Sequence, residues 1–287
     1  MPRLAFSTVA TPDWTLTAVV RSAARWGYDG VELRTFGSGS RAFACDPALT
    51  AADKVRRIFA DHGLTPACLA TSISLDESVR PPVVGRLIGD FERPVRLVKE
   101  AIDLAAAIEC PLVRVFGFQL LAGERRAACI ARIAERLALV ADAARNIGVR
   151  VVVENGGSFA TAAQLNELLD AATDPLLGAA YCSAVAFDAG ENPAASLDIL
   201  GDRLWVAKVK DRDSHRRMCV PGDGVTGCEA FVRELGHRKY GGWIIHEWDR
   251  AWLPDLAEPS SILPDAAARI GGWLAQSRPQ RPHPARA

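Results

Sequence analysis

Short apolar runs rich in β-branched residues alternate along this chain with longer stretches in which apolar residues recur every three or four positions. The runs start near Arg3, Gly30, Thr65, Leu112, Val149, Gly178, Leu204 and Gly242. The stretches cover Leu16 to Trp26, Ala51 to His62, Val95 to Ile108, Arg125 to Ile147 and Ala162 to Ala171. Alternation of this kind requires crossover connections, so the strands are predicted to be parallel. An open doubly wound sheet would be favoured by Gly-x-Gly-x-x-Gly after the first strand, but Thr8-Val9-Ala10-Thr11-Pro12 stands there instead. The pattern therefore predicts an α/β fold, a single-domain (β/α)8 TIM barrel over residues 1–276. Thr50-Ala51-Ala52-Asp53 reads as an N-capping segment, and Gly63 and Gly148 as helix C-caps. Residues 277–287 carry three prolines and three arginines with no large apolar side chain, and are predicted to be a disordered tail.

Three apolar runs end in a carboxylate: Val151 to Asn155 at Glu154, Val185 to Gly190 at Asp188, and Trp243 to Trp248 at Glu247. In a parallel barrel all such ends open on one rim, so the three acids are predicted to converge, at a cost unless a cation joins them. Side-chain alternation places Glu154 on the face of Val152 and Glu247 on that of Ile245, the inward face. The bland alternative, in which each acid pairs with a basic residue on a neighbouring strand, would have to hold three times. The seventh strand, Leu204 to Asp211, puts Lys208 and Lys210 on one face, and a lysine as deep as Lys208 needs acidic partners. Glu32 and Arg34 on the second strand, Arg114 on the fourth, Lys210, Asp211 and His215 are the candidates for holding substrate hydroxyls or a phosphate. His246 points to the opposite face from Glu247 and reads as packing, while His62 and His237 lie where helices end. Trp14, Trp248 and Trp252 lie near the rim, for stacking on a sugar ring or for packing. Pro221-Gly222-Asp223-Gly224 brings backbone N–H groups to an anion or forms a plain turn.

Composition narrows the partners. The 287 residues carry 34 basic and 34 acidic side chains, which removes the positive field expected of a protein that binds nucleic acid or an anionic membrane. A small neutral or singly charged substrate is expected, with no nucleic acid and no membrane. The seven cysteines are scattered without a Cys-x-x-Cys pair, as in a reducing compartment. No secretory h-region and no apolar run of about 18 residues is seen, so a cytoplasmic location is expected. The segment Thr35 to Ala48, or a partner subunit in a homo-oligomer, is expected to close part of the rim.

Six pieces in order carry a resemblance: Gly27 to Arg34, Val153-Glu154, Phe187 to Gly190, Lys208 to Asp211, Pro221 to Gly224, and Tyr240 to Trp248. Over about residues 4–275 the chain resembles the sugar phosphate isomerase/epimerase family, with the xylose isomerase-like TIM barrel. The resemblance implies that Glu154, Asp188 and Glu247 are metal ligands, together with a histidine on strand seven. Where the family usually has His-x-Lys-Asp, this chain has Lys208-Val209-Lys210-Asp211, and an ammonium group has no lone pair for a metal. Two readings follow. In one, a divalent cation, Mn²⁺ or Mg²⁺ given oxygen-rich ligands, binds with water or His215 in the vacant position. In the other, Lys208 replaces the ion. Either way, Glu154, Glu247 and Lys208 are the expected catalytic residues. One glutamate removes a proton next to a carbonyl, the cation stabilises the enediolate, and the other glutamate or a water returns the proton. The resemblance thus implies an isomerase or epimerase acting on a sugar, keto-sugar or cyclic polyol. A dehydratase or lyase using the same enolate, and an inactive barrel serving as a binding or subunit partner, are the alternatives. A nuclease of the superfamily is disfavoured by only five histidines, none ending strand seven.

Overall fold

The computed structural model describes residues 2–35, 51–77 and 91–277. Eight parallel strands close into a barrel in the order β1-β10-β7-β6-β5-β4-β3-β2. They are β1 Arg3–Ser7, β2 Gly30–Arg34, β3 Thr65–Ser74, β4 Leu112–Phe116, β5 Arg150–Glu154, β6 Leu177–Cys182, β7 Leu204–Val209 and β10 Trp243–His246. A two-stranded hairpin, β8 Asp211–Arg212 and β9 Met218–Cys219, rises from the end of β7. The helices α1 Leu16–Arg25, α2 Ala52–Ala60, α3 Arg93–Ala107, α4 Arg126–Ala144 and α5 Ala162–Ala172 lie close to the predicted stretches. Gly63 and Gly148 follow helices with φ of 65° and 83°, a conformation glycine adopts without a Cβ clash. Among the described residues no helix is long and apolar enough to cross a membrane. The tail beyond Ser277 and the rim segment beyond Thr35 lie outside the described residues.

Strand alternation divides the core in two. One set, with Val31, Leu33, Val113, Val115, Val151 and Val153, packs under the helices. The other, with Ala5, Cys68, Leu112, Val152, Ala180, Val206, Trp243 and Ile245, fills the barrel interior. Trp243 plugs the N-terminal end because Gly30 leaves it room: a Cβ there would lie 2.7 Å from the ring. The interior is apolar at this end and becomes charged toward the C-terminal end, where β2, β4, β5 and β7 contribute Glu32, Arg114, Glu154 and Lys208.

The sixth strand departs from expectation. It ends at Cys182, and Ser183–Asp188 winds into the short helix α6. Asn155 terminates the ladder: its amide oxygen accepts from the Cys182 N–H at 2.6 Å and its amide nitrogen donates to the Cys182 carbonyl at 3.2 Å. Ser183 then donates to the Lys208 carbonyl. With those groups satisfied, the chain turns away from the sheet, and Asp188 does not lie at a strand end.

Candidate active site

Lys208 stands at the centre of the C-terminal mouth and is completely buried. Its Nζ lies 2.5 Å from Glu247 Oε1, 2.8 Å from Glu154 Oε2 and 3.5 Å from Glu32 Oε1. Glu247 and Glu154 lie within hydrogen-bonding distance of the ammonium, and Glu32 stands farther off with neither oxygen hydrogen-bonded. Burial opposes the lysine's charge, but Glu154, Glu247 and Glu32 outweigh it and hold the pKa above the ordinary lysine value. Lys208 is therefore a permanent cation and no amine nucleophile at neutral pH.

Lys210, two residues on and on the same face, lies 3.1 Å from Glu247 Oε2 and 2.8 Å from Asp249 Oδ2. Both oxygens of Glu247 thus face a lysine. Burial would raise its pKa, yet Lys208 and Lys210 hold the carboxyl well below the usual range. Glu154 differs. Its Oε2 meets Lys208 and, at 3.4 Å, Arg114, whereas none of the described residues donates to its Oε1. Among the described residues Glu154 thus keeps one oxygen clear of any cation, whereas Glu247 keeps none.

The arginines complete the ring. Arg34 donates to the Ala70 carbonyl and Ser72 Oγ, both at 2.9 Å, and its guanidinium lies 5.8 Å from the Trp252 ring. Arg114 is 3% exposed and lies over the Phe116 ring at 4.2 Å. Burial and the neighbouring Arg114 lower the Arg34 pKa to about 10, while for Arg114 burial is outweighed by Glu154, Glu32 and Glu247, which raise it. Both stay charged at neutral pH. Glu32, Glu154, Glu247 and Asp249 face Lys208, Lys210, Arg34 and Arg114, so opposite charges match in number.

Other predicted residues lie elsewhere. Asp188 is the last residue of α6, where its Oδ2 accepts from Arg212 at 2.5 Å and Arg216 at 3.0 Å, so the structure does not bring it to Glu154 and Glu247. The inward position at the end of β6 belongs to Cys182, beside Lys208 in the register, with its thiol pushed by burial to about 11. His215 is exposed on the turn after β8, its backbone N–H bonded to Asp213. Asp211 is turned away from substrate duty: its carboxylate accepts from the backbone N–H of Arg212, Gly222, Gly224 and Thr226. The Pro221–Gly224 loop does present N–H groups to an anion, and the anion is the protein's own Asp211. His246 is buried on the helix-facing side, as expected, and Trp248 is buried with its indole N–H donated to the Ala257 carbonyl.

Sequence reasoning missed Asp249. It lies two residues beyond Glu247, so the same parity that marked Glu247 could have found it. Burial and then Glu247 raise its pKa against the pull of Lys210, and its Oδ1 is buried without a hydrogen-bond partner.

The chain matches the profile of the xylose isomerase-like TIM barrel over residues 20–273. It belongs to that family. No curated protein sequence matches it. Solved structures with the same fold include an L-ribulose 3-epimerase, 19% identical with a TM-score of 0.76, covering 97% of this chain and 96% of that one. The IolI protein with a bound zinc atom is 15% identical at a TM-score of 0.76, covering 96% and 99%. A probable 3-DHS dehydratase, AsbF, of Bacillus anthracis is 15% identical at 0.75, covering 94% and 98%. These barrels thus include an epimerase, a dehydratase and a zinc-binding protein.

The site of this family member does not fit the divalent ion that the resemblance implied. Lys208 Nζ is already within 2.8 Å of an oxygen on each of Glu154 and Glu247, so an ion between them would meet an ammonium that repels it. Cys182, a neutral thiol, stands at the end of β6, and Asp188 is held by arginines. Among the described residues no three His, Cys, Asp or Glu side chains form a metal-binding group.

Proposed function

We propose that this protein is an enzyme acting on a keto-sugar or cyclic polyol by carboxylate-mediated proton transfer next to a carbonyl, with Lys208 as its resident cation. One observation carries the reading: Glu154 keeps a free carboxylate oxygen at the barrel mouth while its other oxygen is fixed on Lys208. A base needs an oxygen aimed at the substrate, and a neighbouring ammonium keeps that carboxylate in place. Glu247, tied by both oxygens to lysines, holds Lys208 and Lys210 in position rather than exchanging protons. Asp249, with its raised pKa and its place on Lys210, is the group suited to return a proton. Delivered to the carbanion carbon or its neighbour, that proton completes isomerisation or epimerisation.

Dehydration is the second reading, and one feature favours it. Two-base epimerisation uses free carboxylates on opposite sides of the substrate, whereas here Glu247 is tied by both oxygens to lysines. A single base with Asp249 as acid suits removal of a proton and expulsion of a hydroxyl beyond it. The test is deuterium uptake from D₂O into a panel of ketoses and inososes by chelator-treated protein, with products followed by NMR. Uptake that persists in chelator and falls at least about a hundredfold in Glu154→Gln is expected. A wild-type protein that exchanges no proton on the panel, or does so only with added metal, would overturn the proposal.

A further inference from the structure

The reading just given leaves the enolate oxygen without a partner. When Glu154 takes the proton, the C–H bond breaks, an O–H bond forms on Glu154, and the electron pair moves through carbon to leave negative charge on the former carbonyl oxygen. In a buried site that oxygen needs a donor already aimed at it. Lys208 cannot serve, because it is fully buried and its N–H groups face Glu32, Glu154 and Glu247. Lys210 is engaged by Glu247 and Asp249. Arg34 is engaged by the Ala70 carbonyl and Ser72.

Arg114 is placed differently. Its side chain is 3% exposed, and its buried Nε has no hydrogen-bond partner. Its contacts are the face of Phe116 at 4.2 Å and an approach of Nε to Glu154 Oε2 at 3.4 Å. A donor shut away from water and left unmade is costly, so a site that keeps one is shaped for an acceptor that arrives with the ligand. Stacking on Phe116 fixes the plane of the guanidinium, and the approach to Glu154 sets it beside the base.

We infer that Arg114 is a catalytic residue that donates to the substrate carbonyl oxygen and stabilises it as the proton leaves for Glu154. The inference rests on the proton-transfer reading. Arg114 keeps its own protons throughout, so it acts by charge and hydrogen bonding alone. A guanidinium in this role also selects substrate: two parallel N–H groups fit a carbonyl beside a hydroxyl, the α-hydroxycarbonyl unit of a ketose or inosose.

The experiment compares wild type, Arg114→Ala and Arg114→Lys in the same deuterium-uptake assay, with and without 50 mM guanidinium ion. Folding is checked by circular dichroism. Arg114→Ala is expected to lose at least about a hundredfold in kcat with KM changed much less, guanidinium to restore part of that loss, and Arg114→Lys to lie between. An unchanged kcat, a loss confined to KM, or no rescue would overturn the role. Calorimetric binding of oxalate, a planar mimic of an enediolate, separates this inference from its parent. Wild type that binds oxalate at least about thirtyfold tighter than Arg114→Ala, yet exchanges no proton on the panel, would support Arg114 as the donor and sink the substrate class. Oxalate binding equal in the two proteins would sink Arg114 itself.

Discussion

Lys208 shows how one residue can reset an active site. An ammonium supplies one positive charge where a divalent ion supplies two, and its donors point at the carboxylates instead of leaving a coordination position open to substrate. In the proposed reaction the substrate therefore meets a carboxylate, Glu154, and an arginine, Arg114, without an exposed Lewis acid. Removing the lysine takes from Glu32 its ion-pair partner among the described residues and leaves Glu154 to Arg114 and Glu247 to Lys210. Lys208→Met should therefore destabilise the protein by about 3–5 kcal/mol, since breaking a buried ion pair strands its partner charges. Adding Glu154→Gln to that variant should recover part of the loss. Urea denaturation of both single variants and the double variant checks this, and strictly additive losses would mean that the two residues are not coupled.

At the scale of elements, the end of β7 explains how a rim loop is held. Asp211 turns its carboxylate inward under the 220–226 segment and collects four backbone N–H groups and the Thr226 hydroxyl, the last at 2.7 Å. Gly224 must be glycine for this approach, because a Cβ there would overlap the Asp211 carboxylate. Asp211→Ala is expected to cost about 1–3 kcal/mol by leaving those donors unmade. Hydrogen exchange at Gly222, Gly224 and Thr226 should quicken in the variant, and unchanged protection at all three would refute the assignment. The opposite end of the barrel has a different character. A cavity of about 490 Å³ there is lined by Arg3, Arg150, Trp205, Lys239 and Trp243. Arg3 stacks there on Trp243 at 4.0 Å and Arg150 on Trp205 at 4.3 Å. The acid–base groups all gather at the other mouth, as expected where strands run in parallel and their C-terminal ends share one face.

Across the whole molecule, His246 gives the fold a pH dependence separate from catalysis. It is fully buried, both ring nitrogens lack a hydrogen-bond partner, and burial lowers its pKa from 6.5 to about 4. In the unfolded chain it takes up a proton as pH falls through 6.5, and in the folded chain it does not until about 4. Stability is thus greatest in this respect above about pH 6.5 and declines as pH falls toward 4, by up to roughly 3 kcal/mol. Denaturation of wild type and His246→Phe at pH 7 and pH 5 checks the sign: the wild type should lose more on acidification than the variant.

The sequence by itself determined the barrel, because a parallel sheet needs buried runs between amphipathic helices and that periodicity is local. It also determined that Glu154 and Glu247 point inward and that Lys208 and Lys210 share a face, since alternation along a strand is fixed by the backbone. Asp188 could not be placed this way. Whether Val185–Gly190 extends a strand or turns into a helix depends on Asn155, some thirty residues earlier, whose amide ends the β6 ladder at Cys182. Asp211 likewise looked available until the 220–226 loop closed on it. The division of labour at the mouth was also decided in three dimensions: Glu154 keeps one oxygen free, Glu247 keeps none, and Arg114 keeps its donors. Such differences depend on distances between chains of atoms from separate strands, and only the closing of the barrel sets those distances.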